Sequence, residues 1–255
     1  RFRSGIAGKL HRKKGDGVEK VHDDGSAFFT APAGENIFFQ ALDENYMLLQ
    51  HMPTFINMMP GEQRSCIGCH ELRKKAPGIA TRARPEAIKH PAQSLAPQPG
   101  DTGPRMVHYP SDIQPILEKH CVGCHGGKNA KARLVLTSKP VDSWTMGYKN
   151  IYGRGLISAR QCGFGRSGFH LGPPLTFGSH LSKLAARIRK APCKAKLTRA
   201  EFVRIVTWID ANGPYFGTYT GLEDKNLDQR QRTVLRDLQK KRKAAEPPAK
   251  KVAVR

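Results

Sequence analysis

The chain predicts an α+β fold, a small β-rich N-terminal domain followed by a mainly α-helical domain with long loops. Three observations predict it. Residues 25 to 50 read GSAFFTAPAGENIFFQALDENYMLLQ, short apolar runs punctuated by turn residues. Residues 76 to 115 carry eight prolines, too many for any regular element to run through. Beyond them the apolar residues recur at helical spacing. The divisions that follow are a β-rich segment at 1–75, a proline-rich linker at 76–104, a helical domain at 105–221 and a basic tail at 222–255.

In the first segment, strands are expected at Ala27 to Thr30, Ile37 to Ala41 and Tyr46 to Leu49, where β-branched and aromatic residues lie between turn signals. Ser111 and Asp112 are placed to cap a short helix through Ile113, Ile116 and Leu117, with Pro115 in its first turn, where a missing N–H does little harm. Residues 126 to 174 are glycine-rich without clear periodicity and read mostly as loop. Two further helices are expected. In the first, Ser179 is the cap and Leu181, Leu184, Ala185 and Ile188 form the apolar face. In the second, Thr198 and Glu201 form a T-x-x-E capping box, Phe202, Ile205, Val206 and Ile209 line one face, and Gly213-Pro214 ends it.

The formal net charge is +22, and it is concentrated at the ends. Residues 1 to 14 contribute +6 with no acid, and residues 229 to 255 contribute +8. That pattern reads as basic arms on a folded body, suited to an acidic protein partner or an anionic membrane surface. Nucleic acid is disfavoured as a partner, because aromatics are only 7% and no zinc-finger, RRM or helix-turn-helix signature is present. No run approaches the ~20 apolar residues of a membrane-spanning helix. The first residues lack the apolar core of a signal peptide, so Arg1 is expected to be a processed or truncated end.

The chemistry lies in the cysteines. Four of the six fall into CIGCH (Cys66, Cys69, His70) and CVGCH (Cys121, Cys124, His125). Two thiols three residues apart can each form a thioether to one vinyl group of a porphyrin, and the histidine directly after reaches the iron. With 6 Cys and 10 His in 255 residues, about 0.005 such matches arise by chance. A zinc site or a thioredoxin-type pair does not explain why both pairs end in His. Two covalently bound haem c groups are therefore expected, and with them an extracytoplasmic, periplasm-like compartment. Cys162 and Cys193, the remaining pair, are expected either to form a disulfide or to stay as two thiols.

The ligand on the far face of each iron separates electron transfer from catalysis, since an iron closed on both faces carries electrons and an open one binds small molecules. For the second haem, His180 is the first candidate, flanking the apolar face of its helix, with His170 and Met146 behind it. For the first haem, His51, His108, Met52, Met58 and Met59 are all candidates, and spacing does not choose among them. His120, directly before Cys121, is expected to touch haem or solvent, being badly placed to reach its own iron.

The segments DGSAFFTAPAGENIFFQALDEN, MPGEQRSCIGCHE, DIQPILEKHCVGCHG, PPLTFGSHLSKL and VTWIDANGPYFGTY occur in this order. Together they resemble the C-terminal portion of the hydrazine synthase alpha subunit and its wider family of propeller-plus-cytochrome c proteins. The resemblance covers about residues 20 to 221 and implies a β-propeller's trailing segment followed by a helical cytochrome c domain with a bis-histidine haem, here His125 with His180. The family's catalytic member binds its first haem iron through a tyrosine four residues after the CxxCH histidine; this chain has Lys74 there. What the resemblance implies is thus architecture and haem count. The functional expectation is a dihaem electron-transfer subunit of a larger multisubunit redox complex. The alternative is a haem enzyme whose open first haem acts on a small nitrogen or oxygen species.

Overall fold

The computed structural model describes residues 2–7, 13–52, 55–67, 84–158, 173–190, 193 and 197–216. Its first half is an antiparallel sheet built from β1 (Phe2–Ala7), β2 (Lys13–Glu19), β3 (Asn36–Leu42), β4 (Leu48–His51), β5 (Ile56–Asn57) and β6 (Arg105–Met106). The strand order is β4-β3-β1-β2-β6, and β4 and β5 share one side of β3, pairing with its opposite ends. This corrects the reading of the N-terminus as an arm. Phe2–Ala7 is an interior strand, paired with Glu19–Lys13 on one side and with Ala41–Ile37 on the other, so that its backbone is bonded along both edges. The run Ala27 to Thr30 makes only an isolated bridge, Phe29 with Gln93.

The described part of the proline-rich stretch holds one 3-10 turn, Glu86–Lys89, and is laid along the sheet. Val18 and Ala96 exchange backbone hydrogen bonds of 2.8 and 2.9 Å, Thr30 N–H donates to Gln93 O at 2.9 Å, and β6 then pairs with β2. The prolines forbid a long element, yet the N–H groups between them still bond, and the segment covers the outer edge of β2.

Seven helices are described: α1 (Tyr109–Asp112), α2 (Gln114–His120), α3 (Val122–His125), α4 (Met146–Gly153), α5 (Gly178–Leu181), α6 (Lys183–Ile188) and α7 (Arg199–Asp210), with a small hairpin of β7 (Pro140–Val141) and β8 (Trp144–Thr145) before α4. The expected helix at 111–117 is two helices meeting at Ile113, and Asp112 does not cap from outside but turns back to accept from His108 N–H at 2.9 Å. The helix expected from Ser179 is also two. Ser182 adopts extended angles (φ −76, ψ 124), its hydroxyl donating to Gly178 O and accepting from Ser158 N–H, and Ser179 lies inside α5 with its N–H and hydroxyl on Asp210 at 2.7 and 3.1 Å. Because of that break Leu181 turns outward, 58% exposed, while Leu184, Ala185 and Ile188 stay buried. α7 has the predicted capping box, with Thr198 and Glu201 bonding reciprocally, and ends at Asp210.

The core joins sheet and helices. Met47 packs in one cluster with Tyr109, Leu117, Ile188, Ile205 and Trp208, while Val203 of α7 and Phe177 pack with Val18, Leu42 and Leu48 of the sheet and Tyr46 of the β3–β4 turn. Buried Gln40 of β3 donates to Asp210 O at 3.0 Å, and Leu48 N–H donates to Ser179 Oγ at 3.1 Å, so polar bonds cross the same boundary. α7 therefore serves both halves. No described helix is long and apolar enough to cross a membrane.

Candidate haem attachment site

The second CxxCH motif is carried by the end of α2. Ile113, Ile116 and Leu117 anchor that helix in the core, and Cys121 N–H continues the helical ladder by donating to Leu117 O at 2.8 Å. Cys124 and His125 N–H groups both turn back to Cys121 O, at 3.1 and 2.8 Å, so the motif winds as one further turn and the two thiols, three residues apart, share a face. Cys121 is half-buried beside the core, and Cys124 is exposed.

His125 is held from its back. Its Nδ1 lies 3.1 Å from Leu134 O. A carbonyl only accepts, so Nδ1 carries the proton and Nε2 of the neutral ring keeps its lone pair. Metal-ligating histidines are oriented in this way, with the second ring N–H on a backbone carbonyl. Two adjacent thiols and an imidazole with a presented Nε2 fit the attachment of a haem. Among the described residues no group of three or more His, Cys, Asp or Glu side chains is arranged to hold a metal ion. Haem does not require one, because the porphyrin supplies four of the iron's ligands.

The segment after the motif was expected to be loop, and from Leu134 to Lys139 it has no regular structure. It is nonetheless bonded throughout. His125 O accepts from Leu136 N–H at 2.8 Å, Leu136 O from Gln114 Nε2 at 2.9 Å, Val135 O from Asn150 Nδ2 at 2.7 Å, and Thr137 O from Gly147 N–H at 2.9 Å. α4, which supplies two of these donors, lies where the glycine-rich sequence reads as loop. Its signals were Thr145, whose hydroxyl accepts from Tyr148 N–H as an N-cap, and Tyr148, Ile151 and Tyr152 at spacings of three and four. Gly147 is required there, since a Cβ would stand 2.8 Å from Leu136 O.

A second tether joins the motif to α7. His120 Nε2 and Lys119 Nζ lie 3.1 and 3.0 Å from Glu201 Oε1. Burial raises the Glu201 pKa, but the Thr198 N–H, Lys119 and His120 outweigh it and hold the carboxyl down at about 2. His120, expected to touch haem or solvent, makes this contact with its side chain 13% exposed.

The other candidate ligands are dispersed. His180, half-buried on α5, has Nε2 3.2 Å from Asp43 Oδ2 in the β3–β4 turn, and no described hydrogen bond or ring contact joins it to His125. His51, at the end of β4, puts Nδ1 2.6 Å from Met52 O and its ring edge-on to Phe177 at 5.0 Å. His108 caps α1 and places Nδ1 2.9 Å from Ser111 Oγ. Met146 begins α4 and is half-buried. Cys66 of the first motif is exposed, whereas Cys69, His70, Lys74, Cys162 and His170 lie outside the described residues, as do residues 217–221 and the basic tail at 222–255. Cys193 is half-buried.

The arrangement of an N-terminal sheet followed by helices has counterparts among known proteins. Residues 5–71 match the family model described as the hydrazine synthase alpha subunit middle domain. The fold resembles part of a chain of Kuenenia stuttgartiensis hydrazine synthase, with a TM-score of 0.52 and 18% identity, over 79% of this chain and 33% of that one. The present chain thus spans about a third of that chain's length, and its likeness extends past the sheet into the helical part. No curated protein matches the sequence. Residues 5–71 are thus similar to that middle domain, and at 18% identity the structural likeness concerns the fold alone.

Proposed function

We propose that this chain is a dihaem c-type cytochrome that transfers electrons within a larger extracytoplasmic redox assembly. The observation that carries the reading is His125, one residue after Cys124 on the turn that extends α2, with Nδ1 donating to Leu134 O and Nε2 left for iron. The first motif, Cys66, Cys69 and His70, supports a second haem by its sequence. A haem supplies a one-electron couple at its iron when bound. The protein's part is to hold the ring of His125, to bring apolar side chains of α2 against the attachment site, and to set the charge around it.

The extracytoplasmic location follows from where covalent haem attachment takes place. Membership of an assembly is supported by likeness to a protein named as an alpha subunit, and the +22 net charge favours an acidic partner or an anionic membrane surface within it. His180 is proposed as the distal ligand of the second haem, which requires its ring to leave Asp43 when haem is present. His51 and His108 are the candidates for the first. A second reading, an open first haem that acts on a small nitrogen or oxygen species, draws support from the match of residues 5–71.

Optical and EPR spectra of the purified chain, oxidised and reduced, with and without carbon monoxide, test both. Two low-spin haems unaffected by carbon monoxide support electron transfer. One high-spin haem that binds carbon monoxide moves the case to the enzyme, and a chain without covalent haem overturns both readings.

A further inference from the structure

Ala132 and Arg133 are consecutive non-glycine residues with left-handed backbone angles, φ 54 and φ 53. Each position is disfavoured for a side chain with a Cβ, at a cost of about 1 to 2 kcal/mol. Such a pair persists only if its surroundings hold it. Two backbone bonds close the 3-10 turn Lys131–Arg133, from Arg133 N–H to Ala130 O at 2.8 Å and from Leu134 N–H to Lys131 O at 3.2 Å, and one side chain clamps its outward carbonyls: Arg154, at the C-terminus of α4, donates from Nη1 to Ala132 O at 2.9 Å and from Nη2 to Arg133 O. The next carbonyl in the chain is Leu134 O, the acceptor of His125 Nδ1–H. Carbonyls 132, 133, 134 and 135 are thus taken in turn by Arg154, Arg154, His125 and Asn150. The guanidinium fork is the group suited to this task, because its rigid, planar donors can meet two carbonyls at once, whereas an ammonium meets them only as a point charge.

We infer that Arg154 is a positioning residue for the second haem: by clamping the strained 132–133 turn it fixes the direction of Leu134 O, and through it the ring orientation and basicity of His125. This rests on the reading of Cys121, Cys124 and His125 as a haem site. A firm Nδ1–H···O bond gives the imidazole more anionic character and favours the oxidised iron. Loosening the turn therefore raises the reduction potential of the second haem.

The test is made on the full haem-loaded chain with Arg154→Lys, which keeps the charge and loses the fork, and Arg154→Met, which loses both. Three quantities are read: the midpoint potential of each haem, solvent exchange of the His125 Nδ1 proton by NMR, and the haem mass on the peptide containing Cys121 and Cys124. With Arg154→Lys, the second haem's potential is expected to rise while the first stays put, and the Nδ1 proton to exchange faster by on the order of tenfold. In Arg154→Met the exchange is equally fast, and loss of the positive charge offsets part of the rise in potential. A lower melting temperature with unchanged potential and unchanged Nδ1 exchange overturns the proposal, leaving Arg154 a role in stability alone. Absence of haem mass on the wild-type peptide overturns the haem reading beneath it, and the proposal with it. Should either variant fail to fold, Arg154→Gln, whose amide can meet one of the two carbonyls and which loses the fork, provides the same readouts, and the same unchanged values overturn the proposal.

Discussion

Glu201 Oε1 lies 3.1 Å from His120 Nε2, so the residue that directly precedes Cys121 is bonded to the residue that closes the capping box of α7. The helix that carries the motif and the helix that fills the core share one carboxylate. Acid should therefore act on both together. The Glu201 pKa is depressed in the folded state to about 2 from an ordinary 4.5, so its contribution is fully present above pH ~4.5 and is lost as the pH falls toward 2. In Glu201→Gln, melting temperature is expected to vary less with pH across that window than in the wild type. Equal slopes in the two proteins would refute the assignment.

Thr198→Ala removes the other half of the capping box and should cost about 1 kcal/mol in urea unfolding at neutral pH. Since Thr198 Oγ1 accepts from Glu201 N–H at 3.2 Å and its N–H bonds Glu201 Oε2 at 2.8 Å, the two substitutions should be non-additive in a double-mutant cycle.

Cys121→Ala combined with Cys124→Ala should halve the haem per chain measured by pyridine haemochrome absorbance and by mass, leaving the haem on Cys66 and Cys69. Unchanged haem content in this variant would show that the second motif is not an attachment site.

Gly178 has φ +63, and a Cβ there would stand 2.7 Å from Asp210 Oδ1 and 3.0 Å from Leu48 Cδ2. Both neighbours are fixed, Asp210 by bonding Ser179 and Leu48 by burial in the sheet's core. Gly178→Ala is expected to destabilise the fold by about 1 to 3 kcal/mol in denaturant titration, combining backbone strain with overpacking.

Gln114 is buried and donates to Leu136 O at 2.9 Å while accepting from Thr145 Oγ1 at 3.1 Å. Gln114→Leu keeps the volume but takes away the donor to the buried Leu136 carbonyl and the acceptor of the buried Thr145 hydroxyl, at a cost of about 1 to 3 kcal/mol in chemical denaturation. Amide exchange of residues 134–137 should rise more than that of α7, as these carbonyls are held by α2, α3 and α4.

The sequence by itself determined the features that depend on short-range pattern. Both CxxCH motifs, the Thr198/Glu201 capping box, the buried faces of α2 and α7, and the α+β order were legible, because covalent spacing and a 3.6-residue period need no tertiary partner. Only the tertiary structure decided features whose cause lies far along the chain. Phe2–Ala7 is a strand because β3, more than thirty residues later, pairs with it, and Ser179 is drawn from a cap into α5 by Asp210 of α7. The proline-rich stretch lies on the sheet because Val18 and Ala96 find each other's backbone. Leu134 O is the clearest case. A backbone carbonyl has no letter in the sequence, and its role toward His125 exists only because Arg154, Asn150 and Gln114 hold an irregular segment in place by bonds that no local periodicity records.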